Sequence, residues 1–82
     1  YFKVHKTGKV AINMGQTEIH NEPGATLEVN GNVKIAGANE MLLGNMTTTQ
    51  RNALTAANGM MIYNTSDNKF QGYENGAWTN LV

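Results

Sequence analysis

Apolar and polar positions alternate most clearly from Leu27 to Ile35, where Leu27, Val29, Gly31, Val33 and Ile35 interleave with Glu28, Asn30, Asn32 and Lys34. A period of two places one set of side chains on one face of a strand, so a half-buried strand is predicted over 27–35, with Asn30-Gly31 as a turn or bulge within it. An earlier segment repeats the pattern: Gly8-Lys9-Val10-Ala11-Ile12-Asn13 matches Gly31-Asn32-Val33-Lys34-Ile35-Ala36 in its Gly, Val and Ile, 23 residues apart. Two copies fall short of the roughly three stacked units that repeat folds need, but symmetry mates in a trimer supply further copies. Between them, Asn21-Glu22-Pro23-Gly24-Ala25 carries turn chemistry.

The alternation stops after Gly37. Thr47 to Ala57 reads as a short helix, with Thr47 and Gln50 forming a capping box or Thr48 capping instead, a narrow stripe of Ala53, Leu54 and Ala57, and a stop at Asn58-Gly59. So short a helix is marginal unless it docks. Beyond it, Met60–Asn64, Lys69–Tyr73 and Ala77–Val82 are separated by Thr65-Ser66-Asp67-Asn68 and Glu74-Asn75-Gly76. This predicts a three-stranded β-meander, with Ile62, Phe70 and Gly72 sharing a face and Tyr73 and Trp78 beside the second turn. The division expected is a β-rich, shaft-like segment over 1–37 and a helix-plus-meander module over 38–82.

Composition bears on assembly. The chain has 82 residues, zero net charge and no cysteine, and Leu, Ile, Val and Phe number only 16. A chain of this size buries about 60% of the surface its unfolded form exposes, with no disulfide available to compensate. Self-association is therefore expected, with Val10, Ile12, Leu27, Val29, Val33 and Ile35 as the trimer core. Six basic and six acidic residues are scattered without a basic cluster, which argues against nucleic acid as a partner. The longest near-continuous apolar run is Met60-Met61-Ile62-Tyr63, far short of the roughly 20 residues of a membrane span. Tyr1-Phe2-Lys3-Val4 carries neither an initiator Met nor a signal-peptide pattern, so a piece of a longer chain is expected.

The stretches Thr48-Thr49-Gln50-Arg51-Asn52-Ala53-Leu54, Asn58-Gly59-Met60-Met61-Ile62-Tyr63-Asn64-Thr65 and Asn68-Lys69-Phe70-Gln71-Gly72-Tyr73-Glu74-Asn75-Gly76-Ala77-Trp78 resemble a module common in bacteriophage tail fibres and related trimeric virion fibre proteins. Residues 24–35 are similar to repeats that precede such modules. The resemblance implies a mostly β, elongated, intertwined homotrimer on a virion. Its partners would be other tail or fibre proteins and a host-surface glycan or protein receptor.

Candidate chemistry is sparse. Ser66 is the single serine, and its neighbour Asp67 shares its predicted turn, so no triad is expected. On a strand, Gln16, Glu18, His20 and Glu22 would face one way, and a trimer axis would present His20 three times. Residues two apart lie about 6.5–7 Å from each other along a strand, too far to close a chelate unaided, and a solvated polar face is the simpler reading. His5, between Lys3 and Lys6, suits a ligand role less. Glu18 and Glu22 lack the cleft that glycoside hydrolysis needs. The expectation is a non-enzymatic chain without metal or cofactor. Tyr63, Phe70, Tyr73 and Trp78 are expected to form the meander core; the alternative is a lectin-like module reading sugars through Tyr73 and Trp78.

Overall fold

The computed structural model describes residues 2–14 and 24–82 and divides into two units, residues 1–39 and 40–82. The described residues are mostly β, with one short helix and two mixed sheets. No helix among the described residues is long and apolar enough to cross a membrane.

In the first unit β1 (Phe2–Val4), β2 (Val10–Ile12) and β3 (Leu27–Val29) form a sheet in that order. β1 and β2 are antiparallel, with Val4 opposite Val10 and Phe2 opposite Ile12. The connecting turn is closed by bonds from His5 N–H to Lys9 O (2.7 Å) and from Gly8 N–H to His5 O (2.8 Å). Gly8 sits at φ 90°, where a Cβ is disfavoured. β3 runs parallel to β2, Val10 opposite Leu27 and Ile12 opposite Val29.

The predicted strand over 27–35 is shorter than its alternation suggests: β3 ends at Val29, and residues 32–36 form no strand. Alternation marks which residues could share a face, but a strand also needs a backbone partner. Among the described residues Val33 and Ile35 have no strand partner, and they stand 64% and 46% exposed.

In the second unit β4 (Asn45–Met46), β5 (Met61–Asn64), β6 (Lys69–Glu74) and β7 (Ala77–Asn80) lie side by side in chain order. The last three are the predicted meander. β4 adds to β5 in parallel, and the crossover that a parallel pair requires contains α1 (Thr48–Asn52). At the tip of the second hairpin Asn75 (φ 53°) and Gly76 (φ 78°) adopt the left-handed pair of a type I′ turn.

The helix starts where expected. Thr47 accepts from Gln50 N–H (3.2 Å), and Gln50 Oε1 accepts from Thr47 N–H (3.0 Å), completing the capping box. It ends earlier than Ala57, closing at Ala53 and Leu54 with bonds to the carbonyls of Gln50 and Arg51. The expected stripe of Ala53, Leu54 and Ala57 lies beyond it, and Leu54 is 42% exposed. The helix is instead held by its polar residues Thr48 and Arg51, which bond to the sheet.

Candidate functional site

Pairing register fixes what each sheet presents. In the second unit Ile62 stands opposite Gln71, which stands opposite Asn80, and Tyr73 stands opposite Trp78. One face therefore carries Ile62, Asn64, Gln71, Tyr73, Trp78 and Asn80. The other carries Met61, Tyr63, Phe70, Gly72 and Thr79. Ile62 thus does not share a face with Phe70 and Gly72; opposed residues point the same way, and its opposite number is Gln71.

The first face is sealed by a polar clasp. Asn64 is fully buried and Gln71 is 3% exposed. Arg51 Nη1 donates to Gln71 Oε1 (3.0 Å), as does Asn64 Nδ2 (3.0 Å). Because a guanidinium only donates, this contact orients the Gln71 amide, whose Nε2 donates to Asn80 Oδ1 (2.8 Å) and Asp67 Oδ2 (3.3 Å). Asn64 Nδ2 also donates to Thr48 Oγ1 (3.0 Å). Asn64 Oδ1 accepts from the backbone N–H groups of Ser66 (2.8 Å) and Asp67 (3.2 Å), an Asx turn that closes the first hairpin. Ser66 Oγ accepts from Thr48 N–H (3.1 Å), so the lone serine ties helix to turn. Among the described residues no buried side-chain polar atom lacks a partner.

The rings follow the same division. Tyr73 and Trp78 meet edge to face (centroids 5.1 Å, 71°), and the Arg51 guanidinium lies over the Trp78 ring at 5.6 Å. Both are half-buried. Tyr63 and Phe70 form a second edge-to-face pair (5.0 Å, 74°) on the opposite face. Phe70 is 47% exposed there, so it does not form the core expected of it. Asn64 and Gln71 share the enclosed side with Ile62, Tyr73 and Trp78, while Met61, Tyr63 and Phe70 lie on the other. Met61 is 53% exposed on the same outer face. Gly72 keeps that face low enough for Leu81 to lie across it, with Leu81 Cδ2 only 3.2 Å from where a Cβ would stand.

The first unit has the same asymmetry. Lys3, Ala11 and Glu28 share one face; Phe2, Val4, Val10, Ile12, Leu27 and Val29 share the other. On this apolar face Phe2 is 67% exposed and Val4 and Leu27 each 56%, while Val10, Ile12 and Val29 are half-buried. Four of the six residues named from the sequence as trimer core thus lie together, joined by Phe2 and Val4, which only strand pairing reveals. Val33 and Ile35 lie outside the sheet. His5 is buried, its Nδ1 accepting from Thr7 N–H (3.2 Å), which gives it a role in the first turn. Gln16, Glu18, His20 and Glu22 lie outside the described residues. Among the described residues no three His, Cys, Asp or Glu side chains converge.

The sequence reading missed the Asn64–Gln71–Arg51 clasp. Its signal was present in the spacing of polar residues at buried strand positions, Asn64 two residues after Ile62 and Gln71 amid Phe70, Gly72 and Tyr73. Residues 13–82 match the family described as phage tail like trimerisation region. No curated protein and no solved structure gives a match.

Proposed function

The chain belongs to the phage tail like trimerisation region family, and from that premise we propose that it is a structural module of a homotrimeric phage tail fibre. In this reading the two apolar sheet faces are covered by other copies of the same chain. The carrying observation is that burial is incomplete in each unit: among the described residues only Ala11 and Ile62 are buried apolar residues. Phe2, Val4, Val10, Ile12, Leu27 and Val29 form one open apolar face, and Met61, Tyr63 and Phe70 another. Isolated exposed apolar residues are ordinary, but contiguous faces of this kind mark interaction surfaces. The chain would act without catalysis, stiffening a fibre on the virion and supporting the apparatus that contacts the host surface. Neighbouring tail proteins and a host receptor would then meet the assembled trimer. The contacts of Trp78 with the Tyr73 ring and with the Arg51 guanidinium support a packing role over a sugar platform.

Light scattering at micromolar concentration tests the assembly. The parent is expected at three times the chain mass, and the combined change Val4→Glu with Met61→Glu is expected to lower it to one chain mass. A monomeric parent, or a trimer indifferent to both charges, would overturn the reading.

A further inference from the structure

The two copies of the Gly-x-Val-x-Ile pattern have different fates. The first is β2, paired on both sides; the second, residues 31–36, has the same alternation and no strand pairing. The parallel partner of the first copy begins 17 residues after it, Val10 pairing with Leu27. The same step from Val33 reaches Gln50, inside α1. Among the described residues the second copy therefore has no equivalent partner strand in its own chain.

At the same time β3 has an outward edge that no strand pairs among the described residues. Thr26 O accepts from Val10 N–H (2.7 Å), and Asn30 N–H donates to Ile12 O (2.9 Å). Backbone groups alternate in direction along a strand, so those of Glu28 also face β2 while those of Leu27 and Val29 point outward. We infer that residues 32–36 of one protomer add as a parallel strand to this edge of β3 in a second protomer, Val33 opposite Leu27, Lys34 opposite Glu28 and Ile35 opposite Val29. The inference rests on the trimeric reading above and specifies the strand, edge and register that join the chains.

A second copy of the chain is the occupant that fits this edge. The register repeats on the outer edge of β3 what β2 makes on its inner edge, placing Val33 and Ile35 on the face of Leu27 and Val29 and setting Lys34 beside Glu28. Residues 30–32 are too few for a parallel return within the chain, which needs a crossover of about a dozen residues. An antiparallel return fails as well. A two-residue turn would set Val33 opposite Glu28, on the wrong face. A three-residue turn needs a left-handed residue, and none of residues 30–32 has positive φ. Asn13 Nδ2 also donates to Asn30 O (2.9 Å), anchoring the chain where it leaves β3. Donating one strand and receiving another is a head-to-tail contact, and under threefold rotation such contacts close into a ring.

The chain has no cysteine, so an engineered pair reports on this contact alone. Neighbouring strands lie about 4.8 Å apart, within the Cα separation a disulfide spans. The double change Glu28→Cys with Lys34→Cys, oxidised and run without reductant in SDS, is expected to give a band at three times the chain mass. A monomer with an internal disulfide would show an in-chain hairpin and overturn the inference. So would free thiols in a protein that light scattering shows to be trimeric, while leaving the trimeric reading intact. Light scattering that shows one chain mass under reducing conditions would overturn both. Should the loss of Glu28, whose Oε1 accepts from Gly24 N–H, unfold the first unit, the pair Leu27→Cys with Val33→Cys reads the same register from the apolar face.

Discussion

Asn64→Asp is the substitution that most directly tests the polar clasp, because it changes hydrogen-bonding sense with almost no change in shape. The variant keeps Oδ1 for the N–H groups of Ser66 and Asp67, so the Asx turn survives. It replaces the Nδ2 donor with an acceptor that faces Gln71 Oε1 at about the native 3.0 Å. Rotating the Gln71 amide gives no relief, since Oε1 would leave Arg51 Nη1 and Nε2 would leave Asn80 Oδ1. The hydrogen bond to Gln71 is lost at about 1 kcal/mol, whereas the Thr48 hydroxyl, which already lies within reach of Oδ1 as a donor at 3.4 Å, turns to donate to the new oxygen. Leaving a buried acceptor or charge poorly matched adds about 1–3 kcal/mol more. The expected loss is about 2–4 kcal/mol, a large share of the roughly 4–12 kcal/mol of stability that a chain of this length carries. Urea unfolding of the full chain, followed by Trp78 fluorescence at one fixed protein concentration, measures it; the concentration must match because assembly is linked to folding. A midpoint unchanged from the parent at neutral pH would refute the argument that amide orientation in the clasp holds helix to sheet.

Thr47→Ala removes half of the capping box and should lower stability by about 1 kcal/mol, with Thr47→Ser recovering most of it, as read from thermal melts. Gly76→Ala places a Cβ at φ 78° and should cost about 1–2 kcal/mol, whereas Asn75→Gly should fall within about 0.5 kcal/mol of the parent in the same melts. Trp78→Ala should cost about 2–3 kcal/mol, combining the Tyr73 ring pair, the Arg51 contact and partial burial. Glycan-array binding by the intact fibre should not change when that variant is folded; a stable variant that had lost glycan binding would support the lectin-like reading instead.

Much of the local structure was legible along the chain because it depends on near neighbours. Asn75-Gly76 specifies its turn through the φ values those residues tolerate, Thr47 and Gln50 specify the helix start three residues apart, and the meander strands lie between turn residues. Alternation likewise grouped Val10 with Ile12 and Leu27 with Val29, since period two is a property of any extended chain. What alternation lacked was the identity of the partner. It predicted a strand through Ile35, but strand pairing satisfies backbone groups across a gap that sequence distance does not reveal, and in that stretch only Leu27–Val29 pairs among the described residues. Register decided the faces: antiparallel pairing set Ile62 opposite Gln71, so Phe70 went to the open side. The clasp was the least legible part, because hydrophobic patterning assigns Asn and Gln to solvent by default. Only tertiary structure brings Arg51 to Gln71 and Thr48 to Asn64, and those partners are what make burial of two amides tolerable.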